Sequence, residues 1–65
     1  MKIGIAADHG GFHLKVSIKS WLISLGHELK DFGSYEFNAA DDFPDFVVPL
    51  ARSVAAGEYD RGIAI

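Results

Sequence analysis

The sequence predicts an α/β protein, a three-layer α/β/α arrangement on a doubly wound, Rossmann-like parallel sheet, of which residues 1–65 make the N-terminal β-α-β-α-β part. Three observations predict it. Short continuous apolar runs at Ile3 to Ala7 and Gly62 to Ile65 suit strands buried on both faces. Between them, apolar residues recur at spacings of three and four in two stretches, the mark of amphipathic helices. Each change of period falls at glycine: Gly10-Gly11, Gly26, Gly33 and Gly57. Alternating strands and helices joined by right-handed crossovers give a parallel sheet covered by helices.

Ile3 to Ala7 is the first strand, closed by Asp8-His9-Gly10-Gly11, where paired glycines permit a tight turn. Phe12 to Leu25 is the first helix. Leu14, Ile18, Trp21, Leu22 and Leu25 form its expected apolar stripe, with Lys15, Lys19 and Ser20 off it. Gly26 is placed to stop this helix in a left-handed conformation. His27 to Phe32 alternates loosely, anchored by Leu29 and Phe32, and reads as a second strand ending at Gly33.

Ser34 to Asp45 is polar and acidic, a returning loop. The second helix is expected to begin at Pro44 or Asp45, with Asp42 or Asp45 as its cap and Phe43 held extended by the proline. Pro49 is tolerable only near the helix start, because a proline deeper inside costs about 3 kcal/mol. Phe46, Val47, Leu50, Val54 and Ala55 are its expected buried side, Gly57 its end, and Gly62 to Ile65 the third strand.

Composition narrows the function. The chain has 65 residues, no cysteine and a net charge of −3. A domain of this size buries only about 60% of the surface its unfolded chain exposes, so it stands near the lower limit for unaided folding. Disulfides and cysteine-based zinc sites are excluded. The six Lys and Arg are scattered, without the basic face of a nucleic-acid binder. The most apolar windows, Val16 to Leu25 and Phe46 to Ala56, are too short and too interrupted to span a membrane. Asp8 arrives too early for a signal-peptide core, which leaves a cytoplasmic location as the expectation. Strand three stops at Ile65, short of the loop that normally completes the crevice in this class, so residues 1–65 are expected to be the N-terminal part of a single domain.

The best candidate site is Asp8-His9-Gly10-Gly11. It joins a carboxylate and an imidazole to backbone amides at a helix N-terminus, a setting that attracts phosphate. Asp8 is suited to accept from sugar hydroxyls and His9 to donate to a phosphate oxygen or titrate near neutrality. The plainer reading makes Asp8 a helix cap and His9 a solvated turn residue. Neither a dinucleotide fingerprint nor a Walker loop is present. His9 and His13 stand four apart, but His9 precedes the helix, so no metal site is expected from them. Asp41, Asp42 and Asp45 are read as loop solvation and capping rather than as a catalytic or cation-holding cluster.

Several segments resemble one family. Lys2-Ile3-Gly4-Ile5-Ala6-Ala7-Asp8-His9-Gly10-Gly11-Phe12 with Leu14-Lys15 is similar to the opening of ribose-5-phosphate isomerase B and its relatives, the galactose-6-phosphate isomerase subunits. Leu25-Gly26-His27-Glu28, Asp31-Phe32-Gly33, Asp42-Phe43-Pro44-Asp45-Phe46, Ala55-Ala56-Gly57-Glu58 and Asp60-Arg61-Gly62-Ile63 follow in the family's order. The resemblance implies an aldose–ketose isomerase of phosphorylated sugars, most simply ribose 5-phosphate, working through an enediol(ate) without cofactor or metal.

Within that resemblance Asp8 and His9 match a substrate-contacting pair, and Phe43 stands where a tyrosine commonly lines the site. Gly10 and Gly11 are the candidate backbone contacts to phosphate. The proton-abstracting base is expected just after Ile65, so no catalytic residue is assigned within residues 1–65 and the segment alone is expected to be inactive. At least a homodimer is implied. Two other classes fit the residues: a small domain binding a phosphorylated ligand without catalysis, and a subunit-association module.

Overall fold

A computed structural model describes residues 1–65. The order is β1 (Lys2–Ala6), a 3₁₀ turn (His9–Gly11), α1 (Phe12–Ser24), β2 (Glu28–Asp31), α2 (Pro44–Ala55) and β3 (Arg61–Ala64). All three strands are parallel, in the order β2-β1-β3. Ile5 faces Asp31 on one side and Ile63 on the other, so the carboxyl ends of the strands finish at one edge. Crossing first to one side of β1 and then to the other with right-handed connections puts α1 and α2 on opposite faces.

The two faces of β1 are recorded in its side chains. A Cβ on Gly4 would meet Leu50 of α2 at 2.5 Å, and one on its neighbour Gly62 would meet Val54 at 3.0 Å. Glycine on this face lets α2 approach the sheet closely. Strand alternation sends Ile3 and Ile5 to the α1 face, where both are buried.

Both helices end as glycine permits. His27 N–H donates to Leu22 C=O and Gly26 N–H to Ile23 C=O, with Gly26 at φ 88°. Glu58 and Gly57 repeat the pattern on Ser53 and Val54, with Gly57 at φ 80°. These paired bonds satisfy carbonyls that the helix leaves open.

Five local expectations are corrected. The inward side of α1 is built on Lys15 and Leu22, with Ile18 and Lys19 half-buried, whereas Leu14, Trp21 and Leu25 are exposed. Apolar residues occur all around this helix, so no single stripe dominates, and the polar pull of Asp31 decides which side turns in. Phe43 is helical (φ −49°, ψ −48°) rather than extended, because its carbonyl accepts from Phe46 and Val47 as the first turn of α2 forms. Neither Asp42 nor Asp45 caps α2 through its side chain, and Ala55 lies exposed. Pro49 sits at the sixth helical position, past the four free amides, so the Asp45 carbonyl lacks its usual helical donor.

Candidate functional site

The loop after β1 and the loop after β2 are drawn together by backbone pairing that outlasts the regular strands. Phe32 N–H donates to Ile5 C=O at 2.8 Å, Ala7 N–H to Gly33 C=O at 2.9 Å and Ser34 N–H to Ala7 C=O at 2.6 Å. Gly33 makes this course possible at φ 106°, and a Cβ there would meet Phe46 at 2.7 Å. The loop from Ser34 onward therefore leaves the sheet directly beside Asp8 and His9, in the crevice at the carboxyl ends of the strands.

Asp8 does what the plainer sequence reading gave it. Its Oδ1 accepts from Gly10 N–H at 2.9 Å, and its carbonyl accepts from Gly11 N–H at 3.2 Å. His9 N–H is also engaged, by Asp41 Oδ1 at 2.9 Å. All three amides of the turn are thus taken, and Gly10 and Gly11 have no free amide to offer a phosphate in this arrangement. Gly11 has a packing role instead, since a Cβ there would lie 2.5 Å from Ile65 Cγ2.

The unexpected member is Asp41, which the sequence reading left to loop solvation. The same Oδ1 that takes the His9 amide lies 2.9 Å from His9 Nδ1. The Asp41 side chain is only 9% exposed, against 38% for His9. The hydrogen bond to Asp41 raises the His9 pKa, with the charges of Asp8 and Asp41 adding to it against a desolvation cost. For Asp41, desolvation alone would push the carboxyl up. The bonds from the ring and amide of His9 and the imidazolium charge outweigh it and lower the pKa. Asp41 Oδ2 and Ser34 Oγ are buried and neither has a partner at bonding distance.

Phe37, from the same loop, stacks on His13 with centroids 5.6 Å apart and stands edge-on to His9 at 6.4 Å. A cavity of about 450 Å³ opens beside it, lined in part by Ser34, Asn38, Asp41 and Phe46. Phe43 lies at the start of α2, partly exposed, and is not part of that lining. Asp8, His9 and Asp41 each place a potential ligand atom within 4.8 Å of the others. Asp41 Oδ1 and His9 Nδ1 are engaged with each other, and Asp8 Oδ1 with the Gly10 amide.

Beneath the loop, Lys15 Nζ donates to Asp31 Oδ1 at 3.0 Å and to the Ser34 carbonyl, and Lys19 Nζ donates to Asp31 Oδ2 at 2.7 Å. Gly33 N–H also donates to Asp31 at 2.8 Å. Asp31 thus ties both lysines of α1 to the start of the loop that carries Asp41. Nothing in the local pattern of β2 marks it for this part, because its partners lie 12 and 16 residues away.

Fold and crevice define a doubly wound parallel α/β protein whose candidate site is assembled from the loops after its first two strands. The chain belongs to the ribose/galactose isomerase family, whose model matches residues 3–65. It is 39% identical over 64 residues to ribose-5-phosphate isomerase B of Escherichia coli (strain K12), covering 98% of this chain and 42% of that protein. Among solved structures, ribose-5-phosphate isomerase B of Clostridium thermocellum superposes with a TM-score of 0.92 at 48% identity, over 98% of this chain and 43% of that one. The enzyme from Mycoplasma genitalium with bound ribulose-5-phosphate gives 0.89 at 36% identity, over 97% and 42%. The chain spans less than half the length of the curated relatives it matches. No helix is long and apolar enough to cross a membrane.

Proposed function

We propose that the protein carrying this chain is an aldose–ketose isomerase of phosphorylated sugars, with ribose 5-phosphate and ribulose 5-phosphate as its pair. The observation that carries the reading is the Asp8-His9 turn at the carboxyl end of β1, closed over by the β2–α2 loop, within a chain matched along its length to this family. Asp8 and His9 are assigned to substrate contact, and Phe43 to the rim at the start of α2. In the reaction a base removes the proton from C2 of the open-chain aldose, the C1 carbonyl oxygen becomes an enediol(ate) oxygen and takes up a proton, and return of a proton to C1 with loss of the C2 hydroxyl proton leaves the ketose.

A positioned base contributes about 10²–10⁴-fold. It is assigned to chain beyond the third strand, as the resemblance implies, so residues 1–65 alone are expected to show no turnover. The same reading assigns a cytoplasmic location, no cofactor and a homodimeric or higher assembly.

The test is interconversion of ribose 5-phosphate and ribulose 5-phosphate by the full-length protein, with Asp8→Asn and His9→Ala alongside. Lost turnover in folded variants supports the assignment. Binding of the sugar phosphate without conversion would favour the binding-domain alternative, and unchanged kinetics in both variants would remove Asp8 and His9 from the site.

A further inference from the structure

His9 is held in an unusual way for a turn residue. Its backbone amide and its ring Nδ1 both lie 2.9 Å from one oxygen, Asp41 Oδ1, contributed by a loop 32 residues further along the chain. Two bonds from one acceptor to the main chain and ring of the same residue restrict both side-chain torsions. They also fix Nδ1 as the protonated nitrogen, since a carboxylate can only accept. No group of this chain engages Nε2.

We propose that Asp41 is the positioning residue of His9: by taking its amide and Nδ1–H together, it leaves Nε2 as the one ring nitrogen presented to the anionic group of a sugar ligand. The inference rests on the proposed function, which places such a ligand in this crevice.

Three features of the structure support it. Asp41 is shielded while His9 is open, so the hold is protected from water and the held group faces the ligand side. The loop bearing Asp41 is itself fixed, by Ser34 N–H on Ala7, by Lys15 on the Ser34 carbonyl, and by Asn38, whose side chain accepts from Ala40 N–H and whose carbonyl accepts from Asp41 N–H. Phe37 on that loop also bounds the His9 ring edge-on.

The groups facing the ring are Asp8 from the end of β1, Asp41 from the loop and His13 from α1, across Phe37. The two carboxylates outweigh desolvation and keep the imidazole protonated to higher pH than an ordinary histidine. While the ring is protonated, Nε2 is an N–H donor carrying positive charge, suited to an anion.

The experiment follows the His9 ring in the full-length protein by long-range ¹H–¹⁵N correlation across pH, with inorganic phosphate as the anionic probe and Asp41→Asn as the variant. In the unaltered protein we expect a raised titration midpoint, Nδ1 protonated throughout, and His9 signals that move on adding phosphate. Asp41→Asn should lower the midpoint toward 6.5, the ordinary histidine value. Between the two midpoints, where only the unaltered ring is charged, it should weaken phosphate binding about tenfold, the difference between a charged and a neutral donor. The two proteins should converge below pH ~6, where both rings are charged. In a His9→Ala background, Asp41→Asn should weaken binding no further.

An ordinary midpoint with mixed tautomers in the unaltered protein overturns the proposal without any variant. So does a further loss of binding from Asp41→Asn when His9 is already gone, because Asp41 would then act by another route. Phosphate binding as expected but no sugar-phosphate conversion would sink the isomerase reading while leaving Asp41 in its role.

Discussion

Replacing Lys15 with methionine keeps the unbranched stem of the side chain as far as Cε and removes the charged ammonium. Lys15 is 1% exposed and donates both to Asp31 and to the Ser34 carbonyl, while its ammonium lies 5.4 Å from the Phe12 ring centroid. Removing one partner of a buried ion pair costs about 3–5 kcal/mol, because the other charge stays behind. Here Lys19 still holds the second Asp31 oxygen, which moves the cost toward the lower end. Stripping the Ser34 carbonyl of its donor adds to it, since an orphaned buried acceptor costs about 1–3 kcal/mol.

We therefore expect a loss of about 4 kcal/mol or more for Lys15→Met. For Lys19→Met, whose side chain is 33% exposed, we expect roughly 0.5–1 kcal/mol. Urea unfolding of the full-length protein followed by circular dichroism separates them, as a shift in midpoint at unchanged slope. Equal losses would refute the reasoning, since burial would then not be what makes the Lys15 pair strong. A gain in stability from Lys15→Met would refute it more thoroughly, showing that desolvation of the ammonium exceeds all it receives from Asp31, Ser34 and Phe12.

Three further outcomes are expected. Leu22→Ala should cost about 2–5 kcal/mol by leaving a cavity under α1, and Trp21→Ala under about 1 kcal/mol, because Trp21 is 61% exposed and Leu22 only 6%; denaturant midpoints rank them. Gly33→Ala should destabilise by about 1–3 kcal/mol, since a Cβ would lie 2.7 Å from Phe46 at a positive φ, and a melting shift measures it. Acid stability should depend on Asp31. Partial desolvation would raise its pKa, but the bonds from Lys19, Gly33 and Lys15 and the Lys15 charge outweigh it, so the folded value lies below the ordinary one. Its contribution is then present above pH ~4 and lost as pH falls through the folded value, and Asp31→Asn should flatten urea midpoints measured from pH ~5 to ~2.

The sequence by itself determined the alternation of strands and helices, the buried β1, and the turn at Asp8 and His9. These are written in signals that act within a few residues: the period of apolar positions, glycines where φ must turn positive at Gly26, Gly33 and Gly57, and a proline at the first position of α2. The inward side of α1 was not legible, because Leu14, Val16, Trp21 and Leu25 compete with Ile18 and Leu22 around the same helix. Only the sheet decides it, by setting Asp31 beneath Lys15 and Lys19.

The site divides in the same way. Asp8 and His9 are adjacent in sequence and announce themselves beside Gly10 and Gly11, whereas Asp41 is one carboxylate of an acidic loop until backbone pairing through Ser34 brings it 2.9 Å from the His9 ring. Local conformational preference reaches about one helical turn along a chain. A bond between residues 32 apart exists only once the first crossover has paired β2 with β1.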